Sequence, residues 1–92
     1  MLRLVTINLA DADLDAFERY EAAVLRLVPN HGGRVELRVR ALDRKSETHL
    51  LYFPGEEAFE RFLSDPARLA LVDEWTRCKA VSAVQLVERI QD

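Results

Sequence analysis

Ninety-two residues, 49% of them hydrophobic, are enough for one small core and too apolar for a disordered chain. Thirteen basic against sixteen acidic residues give a formal charge of −3, which argues against nucleic acid or an anionic membrane as partner. The single cysteine, Cys78, has no mate for an internal disulfide, and no targeting pattern or long apolar run is present, so the expectation is one cytoplasmic domain over residues 1–92.

The chain opens in strand pattern. Over residues 2–9, one parity carries Val5, Ile7 and Leu9 and the other Leu2, Leu4, Thr6 and Asn8. Apolar residues on both faces suit a central strand covered on two sides. Asp11 or Asp13 can cap a helix over 12–28, in which Leu14, Phe17, Val24, Leu25 and Val28 share a side that only Glu21 breaks. The run from Pro29 to Gly33 stops it.

Residues 34–42 alternate sharply, Val35, Leu37, Val39 and Ala41 against Glu36, Arg38 and Arg40, which predicts a half-buried strand. A short polar connection leads to a third strand over 47–53, with His49, Leu51 and Phe53 on one parity and Thr48, Leu50 and Tyr52 on the other. Pro54 and Gly55 turn the chain into a second helix over 56–79, interrupted at Ser64-Asp65-Pro66, where Asp65 is a natural cap and Pro66 a natural first-turn residue. Residues 81–90 supply a fourth strand.

Strand-helix-strand occurs twice, the signature of the ferredoxin-like β-α-β-β-α-β arrangement. The predicted class is α+β, with a four-stranded antiparallel sheet and both helices on one face. Nothing in the chain covers the other face, which carries Leu2, Leu4 and Leu50. A second copy packed on it would bury that apolar surface by a symmetric contact, so a homodimer is expected.

The stretch Glu47-Thr-His-Leu-Leu-Tyr-Phe-Pro-Gly-Glu-Glu-Ala-Phe-Glu-Arg-Phe-Leu-Ser-Asp-Pro66 resembles the dimeric α/β-barrel superfamily. It is most similar to DUF1330-like and antibiotic-biosynthesis-monooxygenase-like small proteins, and His31-Gly32-Gly33-Arg34 strengthens the likeness. Where DUF1330-like proteins often carry a glutamate before Phe-Pro, this chain has Tyr52. The resemblance implies a cofactor-independent monooxygenase or isomerase acting on an apolar ring compound, with no cofactor needed. The alternative is a non-catalytic binding or assembly module whose sheet face only makes the dimer.

For a small apolar or aromatic ligand, the parity argument nominates Thr6, Asn8 and Tyr52 on the open face, with the Tyr52 hydroxyl as a donor to a ligand oxygen or a filler of the dimer seam. Arg38 and Arg40 fall on the same parity of strand two, where a guanidinium could hold a carboxylate or simply pair with Glu36 and Glu88 at a wet edge. His49, on the helix-facing parity, is a candidate general base or a histidine bonded to a neighbour. His31 reads as a loop acid/base or a solvated turn residue. Trp75 and Cys78 read as core. No zinc-ligand spacing, phosphate loop or nucleophile elbow is present, and no metal is expected.

Overall fold

The computed structural model describes residues 1–91. Four strands, β1 (Leu2–Asn8), β2 (Arg34–Arg40), β3 (Ser46–Tyr52) and β4 (Val81–Val87), form one antiparallel sheet in the order β2-β3-β1-β4. This is the ferredoxin-like α+β architecture predicted above. Helix α1 (Leu14–Leu25) joins β1 to β2. The expected second helix is three pieces: α2 (Glu56–Leu63), α3 (Pro66–Leu69) and α4 (Val72–Cys78). The strand expected over 81–90 ends at Val87.

Local chemistry explains the boundaries. The Asp13 carboxylate caps α1 by accepting from the Ala16 amide at 3.1 Å. The helix expected to run to Val28 stops earlier because Pro29 turns Val28–His31 into a 3-10 segment, closed by Gly32 at φ 75°. Gly33 is required by close approach: a Cβ there would lie 2.7 Å from the Tyr52 carbonyl oxygen and 2.9 Å from Val28. Asp65 caps α3 through the Ala67 amide at 2.9 Å and also bonds His31 at 2.8 Å. His31 is therefore a tie between the 3-10 segment and α3, not a free loop residue.

The helices pack on the face of β1 and β3 that bears Ile7, Leu51 and Phe53. Tyr20 and Val24 of α1 meet Leu51, Phe53 and Phe62 in one cluster, while Phe17, Ile7, Leu9 and Cys78 form a second. Arg3 is buried on this face too, stacked over Phe59 at 3.7 Å and paired with Glu56. Alternation thus assigns the faces of β1 and β3 correctly.

It fails in β2. A bulge between Val35 and Leu37 leaves Glu36 unmatched, so Leu37 pairs with Leu50, Arg38 with His49, Val39 with Thr48 and Arg40 with Glu47. Beyond the bulge every side chain lies on the face opposite to the one predicted. Arg38 and Arg40 turn toward the helices. Leu37 and Val39 turn to the open face, where they are 50% and 48% exposed.

Candidate functional site

A cavity of about 190 Å³ lies between the sheet and the helices. Aromatic walls come from Tyr20 of α1, Phe59 and Phe62 of α2 and Trp75 of α4, with Tyr20 and Trp75 tilted together at 5.0 Å between ring centroids. Val5, Val24 and Leu51 supply aliphatic surface, and the half-exposed Leu69, Val72 and Val84 stand at its rim. An engineered apolar cavity of about 150 Å³ holds benzene, so this one has room for a single substituted ring.

Besides the Tyr20 phenol, Glu21, His49 and Arg68 are the ionisable side chains that line this apolar space among the described residues. Glu21 projects from the buried side of α1 and is 5% exposed. Its carboxyl makes no hydrogen bond among the described residues, and the Nδ1 of His49 lies 3.6 Å from its Oε2. Burial, reinforced by the negative charge of Glu47, pushes its pKa up to about 7. At neutral pH both its protonation states are populated.

His49, 2% exposed, sits between two carboxylates. Its Nε2 meets Glu47 Oε2 at 2.5 Å while its Nδ1 faces Glu21. Burial lowers the imidazole pKa against the opposing pull of Glu47, favouring the neutral ring. Glu47 accepts further bonds from Arg40 Nε at 2.9 Å, Arg40 Nη2 at 2.7 Å and Arg38 Nε at 3.1 Å. Burial alone would raise the Glu47 pKa; bonds from His49, Arg40 and Arg38 outweigh it and hold the carboxyl below its ordinary value. A carboxylate held ionised can only accept, so the imidazole proton resides on Nε2 and the Nδ1 lone pair is directed toward Glu21.

The bulge in β2 builds this arrangement, because without the face change Arg38 and Arg40 would not reach Glu47. Arg40 also bonds Glu18 of α1 at 2.6 Å, tying β2 to the helix that carries Glu21. Arg38, nominated from parity as an open-face carboxylate holder, is instead an anchor of the buried Glu47. Glu21, Glu47 and His49 offer donor atoms within 4.8 Å of one another, the spacing a metal ion would need. Four N–H donors from three side chains already engage Glu47, so the cluster is built as an acid–base chain.

The other nominated residues lie on the open face, as parity predicts, but not together. Thr6 and Asn8 border a shallow depression with Thr48 and Val81 at one end of the sheet. Asn8 Oδ1 accepts from the Ala10 amide at 2.9 Å, closing the turn after β1. Tyr52 pairs with Leu2 at the opposite end, beneath the Arg34 guanidinium at 4.1 Å. Glu21, not among the expected site residues, has one signal in the sequence: it is the one charge on the apolar stripe of α1. Glu47 and Arg68 carried no comparable signal.

No family model matches the chain, and no curated protein does. Solved structures match over nearly its whole length. SnoaB, a cofactor-independent oxygenase from Streptomyces nogalater, aligns with a TM-score of 0.72 at 16% identity over 97% of this chain and 94% of that one. A proposed antibiotic biosynthesis monooxygenase from Nitrosomonas europaea aligns at 0.70 with 9% identity over 95% and 98% of the two chains. A dimeric ferredoxin-like protein of unknown function from Jannaschia sp. CCS1 aligns at 0.67 with 14% identity over 95% and 100%. At these identities the likeness establishes the fold. Among the described residues no helix is long and apolar enough to cross a membrane.

Proposed function

We propose that the protein binds a single-ring apolar compound beneath its helices and abstracts a proton from it, as a cofactor-independent isomerase or oxygenase would. The observation that carries this reading is the Glu21 carboxyl: buried, without a hydrogen bond, facing an aromatic cavity, with its pKa raised to about 7. A base poised near the working pH combines availability with driving force. Glu21 takes the proton from a weakly acidic C–H or O–H, and the electron pair remains on the ligand as an enolate or phenolate. The His49 Nδ1 lone pair receives the proton from Glu21, and Glu47 balances the imidazolium so formed. Return of the proton to a different atom completes an isomerisation. Attack of the carbanion on dioxygen, supplied as co-reactant, would make the activity an oxygenase.

The test is proton exchange, which any such reaction must share. Incubated with phenylacetone in D2O and followed by proton NMR, the protein should speed loss of the benzylic α-proton signal. Glu21→Gln and His49→Gln should each reduce that rate by about 100-fold or more while leaving the fold intact. An unaccelerated wild-type rate would refute the reading and leave the non-catalytic alternative. An oxygen electrode in the same assay separates isomerase from oxygenase.

The open face supports a second part of the reading, a homodimer. Leu2, Leu4, Leu37, Val39 and Leu50 line one side of the sheet with Tyr52, and the bulge has added two of them to it. Contiguous apolar surface of this kind on a small monomer marks an interaction site. Thr6, Asn8 and Tyr52 fall within that seam, where the Tyr52 hydroxyl can bond across it.

A further inference from the structure

The acid–base pair accounts for one part of the cavity. Arg68, which lines it as well, is unexplained by that chemistry. It stands on α3, whose start is fixed by the Asp65 cap and Pro66, and that short helix exists only because the chain breaks after Leu63. The Arg68 Nη1 donates to the Leu63 carbonyl oxygen at 3.1 Å, and the guanidinium carbon lies 5.4 Å from the centroid of Phe62. Its Nε is shut away from solvent and has no hydrogen-bond partner among the described residues. No carboxylate lies within ion-pair distance of it among the described residues, in contrast to Arg3, Arg34, Arg38 and Arg40. A buried N–H of a charged group left unbonded is costly, and such groups usually have a partner that is absent when only the protein is considered.

Resting on the proton-abstraction reading, we propose that Arg68 receives an oxygen of the ligand, so that the compound taken is an aromatic carbonyl compound whose oxygen becomes the oxyanion when Glu21 removes the proton. Three features agree on that chemistry. The walls are aromatic and aliphatic, suiting a ring. The base is a carboxylate, so the ligand's reacting form carries a negative charge that needs a donor elsewhere. Among the described residues Arg68 is the only guanidinium or ammonium lining the cavity, and a guanidinium donates in a fixed planar fork matched to a delocalised oxyanion. Its charge also reaches Glu21 and Tyr20, drawing both against the effect of burial, which places it within electrostatic range of the reacting centre.

Benzoate, a stable anion of the same shape as an aryl enolate, tests this independently of turnover. Binding of benzoate and of benzyl alcohol is measured by calorimetry at pH 6, where the Glu21 carboxyl is mostly neutral. The wild type should prefer benzoate. Arg68→Met should weaken benzoate by about tenfold or more and leave benzyl alcohol within about twofold, the loss of one charge-assisted bond. Arg68→Lys, which keeps charge and bulk, should restore part of the benzoate affinity, and serves as the test variant should the methionine protein not fold. In the phenylacetone exchange assay Arg68→Met should lower kcat far more than it raises KM. Equal binding of the two probes by the wild type, or benzoate affinity and exchange unchanged in the Arg68 variants, overturns the proposal. Failure of wild-type exchange with a benzoate preference intact and lost on substitution would overturn proton abstraction and leave Arg68 as the anion site.

Discussion

The Glu21 carboxyl couples stability to pH in the direction opposite to most acids. Its pKa rises from an ordinary 4.5 to about 7 on folding, so the folded state holds the proton more tightly than the unfolded chain. Its stabilising effect is complete below pH 4.5 and is lost as pH climbs through 7, an amount of about 3 kcal/mol. His49 runs the other way: its pKa falls on folding, so stability is lost as pH drops below its unfolded value of about 6.5. Subtracting a variant isolates the first effect. In urea denaturation between pH 4 and 9, the stability gained by Glu21→Gln over wild type should grow from pH 4.5 upward and level off above pH 7. At pH 8 the glutamine variant should be the more stable protein and the inactive one, the pairing expected where a destabilising residue is kept for function. A pH-independent difference would show that the carboxyl is not held as described.

At the level of elements, alternation in β1 and β3 was readable because each strand has one strongly apolar parity that the core must claim, and Ile7, Leu51 and Phe53 are where that rule puts them. The bulge was not readable. Val35 to Arg40 alternates perfectly in the sequence, and nothing local marks Glu36 as the residue to be skipped; the register is decided by Arg38 and Arg40 finding Glu47 across the strand pair. The same limit hid the site, since His49 and Glu21 are nearly 30 positions apart and gain meaning only when α1 crosses β3. Pro66 announced one break in the second helix, whereas the second break, before Val72, has no proline or glycine to signal it. Where a local signal does have a steric cause, it can be tested. Gly33→Ala forces a methyl group against the Tyr52 carbonyl oxygen and Val28 at the join of the 3-10 segment and β2, and should cost about 1–3 kcal/mol. Gly55→Ala, where the methyl would meet nothing within 4 Å, is the control and should leave the melting temperature nearly unchanged.

The molecule as a whole is a slab measuring 36 × 34 × 16 Å, thick enough for one sheet and one layer of helices. Two layers bury one face of the sheet only, and the other keeps Leu37 and Val39 half exposed beside Leu50. In a two-fold contact through that face each side chain enters the seam twice, once from each copy. An aspartate at position 50 therefore brings two unpaired carboxylates into a dry interface, each costing several kcal/mol in desolvation. The parent chain should scatter light as a dimer at micromolar concentration, and Leu50→Asp should scatter as a monomer with its helical circular dichroism retained, because Leu50 points away from the helices. Leu69→Asp changes an equally apolar, half-exposed residue on the helix side, at the rim of the cavity, and should remain dimeric. A dimer that persists in Leu50→Asp, or one that dissociates in Leu69→Asp, would move the interface off the sheet. The cavity predictions would then stand on their own, since every group they use belongs to one copy of the chain.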